Sequence, residues 1–163
     1  MRLLYSALFY VCFPFVLLRM LWRSRREPGY RRGLQQRFGG VAPDYPPARG
    51  ALWVHAVSVG EVMAAAGVIE QLLRSYPDFR IVVTSTTPAG SARVRALFGE
   101  RVFHTYIPWD LPGSVRRFLG AVRPRLLLLM ETELWPNLLH QCRTLGCPVL
   151  LGNARLSERS ARG

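Results

Sequence analysis

The stretch Ala51-Leu52-Trp53-Val54-His55-Ala56-Val57-Ser58-Val59-Gly60-Glu61 decides the fold of this chain. Its first seven residues are mostly apolar and β-prone, which predicts a buried strand from Ala51 to Val57. The apolar residues after Glu61 recur at helical spacing: Val62, Ala65, Ala66, Ile69, Leu72 and Leu73. Glu61 is therefore expected to open a helix at the carboxyl end of a strand, the edge at which parallel sheets bind ligands. The alternative is that Glu61 only complements the helix macrodipole.

Strand-like and helix-like patterns alternate along the rest of the chain. The apolar runs are Ala51 to Val57, Phe79 to Ser85, Val102 to Ile107, Arg125 to Met130, and Pro148 to Gly152. Nearly continuous apolar runs are typical of a parallel sheet that is covered on both faces. The predicted fold is therefore α/β, a doubly wound, Rossmann-like parallel sheet with five strands and four helices.

Two helix starts are predicted from their cap residues. Asp110, Gly113 and Ser114 precede the helical pattern that begins at Val115, and they are expected to cap that helix. The segment Trp135-Pro136-Asn137 is expected to shape its loop and to start the next helix, because Pro and Asn suit helix starts.

The N-terminal segment is a membrane candidate with a basic flank. Leu3 to Leu18 contains no charged residue, and with the residues up to Trp22 it approaches the roughly 20 residues that cross a hydrocarbon core. The chain has a net charge of +12, and its 22 basic residues are all arginine. Residues 1–22 are predicted to be an anchor helix, 23–50 a basic juxtamembrane connector, and 51–163 the α/β domain. A signal anchor is favoured over an interfacial helix, with the arginine-rich side in the cytoplasm.

Missing patterns argue against several classes of function. A G-x-G-x-x-G fingerprint and a Walker A loop are both absent, which argues against ordinary NAD or ATP binding. The three cysteines do not form a disulfide framework, and the spacing of Cys142 and Cys147 does not match a zinc motif, so reduced thiols and no metal are expected. Nucleic-acid binding would rest on charge alone. His55, His104 and His140 are assigned structural roles.

The polar residues that follow the predicted strands are the candidate site residues. All strand-to-helix turns of such a sheet lie at one edge, so these residues converge there. The candidates are Ser58, Gly60, Glu61, Thr86, Thr87, Glu131, Glu133, Asn153 and Arg155. Hydroxyls in loops most often bond to the nearby backbone, and an arginine in so basic a chain can be a surface residue, so these structural interpretations stay open.

Four motifs in order resemble the Kdo transferase family, the 3-deoxy-D-manno-octulosonic acid transferases of lipopolysaccharide synthesis. They are His55-Ala56-Val57-Ser58-Val59-Gly60-Glu61, Thr84-Ser85-Thr86-Thr87-Pro88-Ala89-Gly90, Met130-Glu131-Thr132-Glu133-Leu134-Trp135-Pro136-Asn137 and Asn153-Ala154-Arg155-Leu156-Ser157-Glu158-Arg159-Ser160. The resemblance implies that the predicted sheet is the N-terminal, acceptor-side domain of a two-domain GT-B glycosyltransferase. It covers this chain but not the C-terminal donor domain of the family.

The resemblance also implies a reaction and roles for the candidate residues. The family transfers Kdo from CMP-Kdo to a lipid A precursor at the cytoplasmic face of the inner membrane, without a metal and with inversion. Glu61 would be the general base, and Glu131 or Glu133 would orient the acceptor or share its proton. Gly60 would leave room for the substrate. Ser58, Thr86, Thr87, Asn153 and Arg155 would contact substrate, with Arg155 gripping a phosphate or the Kdo carboxylate.

Two expectations follow for the isolated chain. Because the donor domain supplies most contacts to the nucleotide, this chain alone is expected to be inactive or nearly so. No cofactor is expected besides the donor substrate CMP-Kdo. The alternative function is a non-catalytic, membrane-anchored module that binds anionic inner-membrane lipids or the lipid A precursor, for which the charge of +12 and the anchor suffice.

Overall fold

The computed structural model describes residues 1–31, 33–41, 45, 50–130 and 135–152. Its centre is a sheet of five strands: β1 (Ala51–His55), β2 (Arg80–Ser85), β3 (Phe103–Tyr106), β4 (Pro124–Met130) and β5 (Val149–Gly152). All strand pairs are parallel. The predicted α/β fold with a Rossmann-like parallel sheet is confirmed, and each strand begins and ends close to its predicted bounds.

The strand order identifies where a ligand is expected. The order across the sheet is β3-β2-β1-β4-β5, so the chain runs outward from β1 to β3 and then returns to the other side of β1. The order reverses between β1 and β4. Open α/β sheets bind ligands outside the carboxyl ends of the strands at such a reversal, and the turn that contains Glu61 follows β1 at this point.

Four helices cover the two faces of the sheet: α3 (Val59–Ser75), α4 (Pro88–Phe98), α5 (Pro112–Val122) and α6 (Pro136–Thr144). On one face, the rings of Trp53 and Phe118 lie 4.9 Å apart in a core formed mainly with α5 and α6. On the other face, Val54 and Ile69 belong to a second core, formed with α3 and α4. The sheet is therefore buried from both sides, as its apolar strands require.

One predicted cap is wrong. Helix α5 begins after Leu111 without a side-chain cap, so Asp110, Gly113 and Ser114 do not cap it. The Asp110 carboxylate instead accepts hydrogen bonds from the N–H groups of Asn137 (3.0 Å) and Leu138 (2.8 Å) at the start of α6. Asp110 bonds to α6 because the loop after β3 lies beside the first turn of that helix in the folded chain.

The N-terminal helix α1 (Arg2–Arg23) is long and apolar enough to cross a membrane, but one of its faces packs on the domain. Ser6 Oγ donates a hydrogen bond of 3.0 Å to Oδ1 of Asn137, and the Phe13 ring lies 5.6 Å from that of Trp109. Met20 is buried as well. The large apolar residues of the helix that are exposed are Leu3, Leu4, Leu8, Tyr10, Val11, Phe15, Val16, Leu18 and Trp22.

Part of the predicted connector also packs on the domain. Its described residues include a 3₁₀ turn (Pro28–Tyr30) and the four-residue helix α2 (Leu34–Arg37). Oε1 of Gln36 accepts a hydrogen bond from the N–H of Tyr106, and the carbonyl of Arg37 accepts one of 2.7 Å from the N–H of Trp109. Helix α2 is thus attached to the carboxyl end of β3, on the edge that carries the candidate site.

Candidate functional site

The Glu61 carboxylate is anchored at the carboxyl end of β1. Ser58 is the N-cap of α3, and Glu61 lies in the first turn with 8% of its surface exposed. Oε2 accepts a hydrogen bond of 2.7 Å from the backbone N–H of Val57, and Oε1 accepts one of 3.0 Å from the Ser58 hydroxyl. Two hydrogen bonds on different oxygens determine the orientation of the carboxylate.

This arrangement is a variant of the helix capping box, and it also leaves the carboxylate able to react. In the usual box the Glu at the third helical position bonds back to the N-cap N–H. Here Glu61 reaches Val57, one residue earlier. A carboxylate offers about four lone-pair sites, so two donors leave acceptor capacity for a substrate hydroxyl. The geometry therefore serves a structural role and is compatible with a general base.

The β2–α4 turn contacts the β1–α3 turn through the carbonyl of Val57. The N–H groups of Thr86 and Thr87 both lie 3.3 Å from this oxygen, and the Thr87 hydroxyl donates to it at 3.2 Å. Thr87 is also the N-cap of α4, because its Oγ1 accepts a hydrogen bond from the N–H of Gly90. The Thr87 hydroxyl is thus engaged locally, whereas Thr86 Oγ1 is buried without a partner among the described residues.

Two glycines in these turns have different surroundings. A Cβ added at Gly90 would lie 3.1 Å from the carbonyl oxygen of Val57, so the close approach of the two turns depends on this glycine. A Cβ added at Gly60 would meet only the Ser58 hydroxyl, at 3.9 Å. Gly60 is therefore not required by packing within the described structure, and it leaves open space beside Glu61.

Sequence reasoning missed Arg37, which borders the same edge. Its side chain is 2% exposed, and Nη2 donates a hydrogen bond of 2.6 Å to the carbonyl of Thr86. The guanidinium also lies over the ring of Tyr106, at 4.4 Å from the centroid. Burial lowers the pKa of Arg37 from its ordinary value, and Tyr106 and Tyr30 oppose that effect. The only local signal was an arginine between Leu34 and Phe38, which a solvated surface helix would also show.

His55 and His104 lie in strands and bond to neighbouring strands, whereas His140 is exposed on α6. Nδ1 of His55 lies 2.9 Å from Oγ1 of Thr84, which also accepts a hydrogen bond from the Trp53 indole. Nε2 of His104 lies 3.0 Å from the Ser85 hydroxyl. Burial, together with the nearby Arg95, lowers the pKa of His104 to about 4. His104 is therefore neutral at pH 7.

Four predicted site residues lie outside the described residues. Glu131 and Glu133 follow β4 in the sequence, and Asn153 and Arg155 follow β5. Their roles stay predictions. Of the candidates within the described part, Ser58 and Glu61 are in direct contact, and Thr86 and Thr87 join them through Val57. In the same part of the chain, no group of three or more His, Cys, Asp and Glu side chains is arranged to hold a metal ion.

Comparisons with known proteins identify the class of this chain. Residues 32–163 match the family described as 3-deoxy-D-manno-octulosonic-acid transferase (kdotransferase). The chain is 46% identical over 161 residues to the 3-deoxy-D-manno-octulosonic acid transferase of Haemophilus influenzae, covering 98% of this chain and 38% of that protein. It is 40% identical to the transferase of Bordetella pertussis, covering 91% of this chain and 36% of that protein.

A eukaryotic relative extends the comparison. The chain is 37% identical to the probable mitochondrial 3-deoxy-D-manno-octulosonic acid transferase of Arabidopsis thaliana, covering 96% of this chain and 35% of that protein. This chain thus spans less than two-fifths of the length of each of these three relatives. The fold is a Rossmann-like domain, and Glu61, its candidate site residue, lies at the switch point of the sheet. The chain belongs to the 3-deoxy-D-manno-octulosonic acid transferase family.

Proposed function

We propose that this chain is the acceptor-binding part of an inverting GT-B glycosyltransferase that transfers Kdo from CMP-Kdo to a hydroxyl of a lipid A precursor in lipopolysaccharide synthesis. The observation that carries the proposal is the Glu61 carboxylate, held by Val57 and Ser58 at the switch point of the sheet, in a chain of this family. The proposed reaction needs no metal ion, as the family resemblance implies.

In the proposed reaction Glu61 is the general base. The acceptor hydroxyl donates its proton to the carboxylate while its oxygen forms a bond to the anomeric carbon of Kdo. The bond from that carbon to the phosphate oxygen of CMP breaks, and its electron pair leaves with CMP. Attack from the face opposite the leaving group inverts the configuration. The two fixed hydrogen bonds on Glu61 support this role, because an oriented base needs little rearrangement when the substrate arrives.

The other predicted residues have subsidiary roles in this proposal. Glu131 or Glu133 orients the acceptor or shares its proton, and Arg155 and Asn153 contact a phosphate or the Kdo carboxylate. Gly60 gives the substrate access to Glu61, which the open space at its Cβ position supports. Ser58 contributes through Glu61, since its hydroxyl donates to that carboxylate.

Helix α1 is proposed to place this edge at the cytoplasmic face of the inner membrane. Its contacts with the domain extend from Ser6 to Met20, and the exposed face of the same helix carries Leu8, Phe15 and Leu18. A helix that touches a domain at points from Ser6 to Met20 is poorly placed to cross a bilayer with that domain outside. We therefore favour a helix that lies in the membrane interface with its apolar face in the lipid, in place of the spanning anchor predicted from the sequence.

A chimera tests the proposed function. The matching segment of the Haemophilus influenzae relative, 46% identical over 161 residues, is replaced by this chain, so that the rest of the enzyme comes from the relative. Purified chimera, incubated with CMP-Kdo and a lipid A precursor, is expected to form the Kdo-lipid product and CMP. The remaining part of the relative alone is the control. A folded chimera that binds vesicles but forms no product would contradict the proposal.

A further inference from the structure

A cavity of about 280 Å³ lies between α1 and the carboxyl edge of the sheet. Three arginines, Arg19, Arg23 and Arg37, line it together with Thr86 and Trp109. A water molecule occupies about 30 Å³ of liquid, so the space holds a tetrahedral oxyanion and several waters. None of the described lining residues is acidic. The cavity therefore concentrates positive charge without a counter-charge in its described wall.

Arg37 is the most deeply buried of these three arginines. It is 2% exposed, and Nη2 donates a hydrogen bond to the carbonyl of Thr86, while Nε is buried without a partner among the described residues. The ion pairs of the described part join Arg23 to Glu27 and Arg101 to Glu70, so neither includes Arg37. Burying an unpaired cation is costly, and stacking on Tyr106 and Trp109 offsets only part of that cost.

The other side of the cavity offers matching groups. Arg19 and Arg23 are one turn apart on α1 and both are exposed, so their side chains are free to adjust to a ligand. The pair between Arg23 and Glu27 is long, at 3.6 Å, and half exposed, so it competes weakly for Arg23. Thr86 Oγ1 supplies a buried hydroxyl that has no partner among the described residues.

We propose that this cavity binds a phosphate group, with Arg37, Arg19 and the Thr86 hydroxyl as its donors. Phosphate fits the donor set because its oxygens accept several charge-assisted hydrogen bonds at once, and guanidinium groups match its geometry. Val16 lines the cavity and belongs to the exposed apolar face of α1, so a helix that lies in the interface would bring the cavity near the lipid headgroups. Two sources share this chemistry, a lipid headgroup and free phosphate. The site does not depend on the transfer reaction.

The first test measures phosphate binding by thermal unfolding of the full chain. Inorganic phosphate is titrated at constant ionic strength with chloride, and the melting temperature gives an apparent affinity. The variants are Thr86→Val and Arg19→Gln, with Arg116→Gln as a control because it removes the same charge from an exposed position of α5. Thr86→Val suits the purpose, since removing an unpartnered hydroxyl leaves folding unharmed or improved.

We expect phosphate to raise the melting temperatures of the original chain and of Arg116→Gln by the same amount. Thr86→Val and Arg19→Gln should each bind about tenfold more weakly, the effect of losing one hydrogen bond to a charged group. If phosphate stabilises all four proteins equally, the effect is general anion binding and the proposal is overturned. Failure of phosphate to stabilise the original chain, together with equal vesicle binding by all four proteins, overturns it as well.

The second test separates the two sources. Vesicles of phosphatidylcholine with and without phosphatidic acid are mixed with each protein, and bound protein is measured by flotation. If a headgroup occupies the cavity, Thr86→Val loses affinity for the acidic vesicles while Arg116→Gln does not, and inorganic phosphate competes. If free phosphate occupies it, Thr86→Val and the original chain bind vesicles equally and differ only in the melting experiment. Either result supports the site, and neither depends on Kdo transfer.

Discussion

Asp110 and Asn137 are joined by two hydrogen bonds, and Asn137 is the donor in both. The Asp110 carboxylate accepts one of 3.0 Å from the backbone N–H of Asn137, and the Asn137 side-chain amide donates one of 2.7 Å to the Asp110 carbonyl. Oδ1 of Asn137 in turn accepts from Ser6 of α1. Burial raises the pKa of Asp110, and the N–H donors of Asn137 and Leu138 oppose that effect. This pair thus links α1, the loop after β3 and the start of α6.

Removing the Asp110 carboxylate should destabilise the domain. Asp110→Ala leaves the N–H groups of Asn137 and Leu138 buried without acceptors, and we expect a loss of about 2–4 kcal/mol in the free energy of unfolding. Urea denaturation measures it as a lower midpoint at an unchanged slope. Asp78→Ala, at an exposed position, is the matched control and should change stability by less than about 0.5 kcal/mol. Equal effects of the two substitutions would show that the buried pair adds nothing specific.

The contact between the two site turns depends on Gly90. Gly90→Ala places a Cβ 3.1 Å from the Val57 carbonyl, and we expect it to destabilise the chain by about 1 kcal/mol through overpacking. Gly67→Ala, in the interior of α3 with nothing within 4 Å, should instead stabilise by about 0.5–1 kcal/mol. Thermal unfolding of both variants gives the comparison. A Gly90→Ala variant as stable as Gly67→Ala would mean that the turns adjust without cost.

A substitution at Gly60 tests substrate access to Glu61 without disturbing the packing of the domain. Because its added Cβ meets only Ser58 at 3.9 Å, Gly60→Ala should fold as well as the original chain. In the chimera with the Haemophilus influenzae relative it should nevertheless reduce Kdo transfer, since the methyl group enters the space beside Glu61. Steady-state kinetics with varied acceptor should show the loss. Unchanged kinetics would remove Gly60 from the proposed substrate-binding surface.

Acid should weaken the fold through His104. The pKa of His104 is about 4 in the folded protein against an ordinary value of 6.5, so the unfolded chain takes up the proton first as the pH falls. Above about pH 7 this titration does not affect the free energy of unfolding. As the pH falls from 6.5 to 4, the free energy of unfolding decreases by about 3 kcal/mol. His104→Gln, which lacks this titration, should lose correspondingly less stability over the same range. Parallel pH profiles for the two proteins would contradict this assignment.

The orientation of α1 predicts where the first residue lies. If the helix rests in the interface, Met1 is on the same side of the membrane as the domain, whereas a spanning helix would place it on the opposite side. An epitope tag before Met1 should therefore be cleaved by protease added from the side of the domain. A tag after Gly163 provides the control for that side. Protection of the N-terminal tag, with cleavage of the C-terminal one, would restore the spanning anchor.

The sheet was predictable from the sequence because its information is local. Apolar runs such as Leu126 to Met130 predict buried parallel strands without reference to the rest of the chain. The role of Asp110 was not predictable, because it caps a helix 27 residues further along and only the folded chain brings the two together. Arg37 was missed for the same reason, since its burial depends on Tyr106, Trp109 and the Thr86 carbonyl.

The candidate site was also predictable only where the information is local. Position after a strand predicted that Ser58, Thr86 and Glu61 share one edge, since all strand-to-helix turns of a parallel sheet lie there. The position after a strand did not predict the role of Val57, whose N–H bonds to Glu61 and whose carbonyl accepts from Thr86 and Thr87. Val57 has an apolar side chain, so nothing in the sequence marks these backbone contacts. Backbone hydrogen bonds join the two turns of the candidate site, and a pattern of side chains does not predict such bonds.

The most direct test of the proposed chemistry is Glu61→Gln in the chimera, with kcat, acceptor affinity and melting temperature measured together. The amide oxygen of Gln accepts from the Val57 N–H, and its NH₂ group donates to the Ser58 hydroxyl, so the fold is preserved while the base is removed. We predict that kcat for Kdo transfer falls by about 100-fold or more, with melting temperature and acceptor affinity nearly unchanged. A kcat within about threefold of the unsubstituted chimera, a change of less than 1 kcal/mol in the activation barrier, would contradict the assignment of Glu61 as the base.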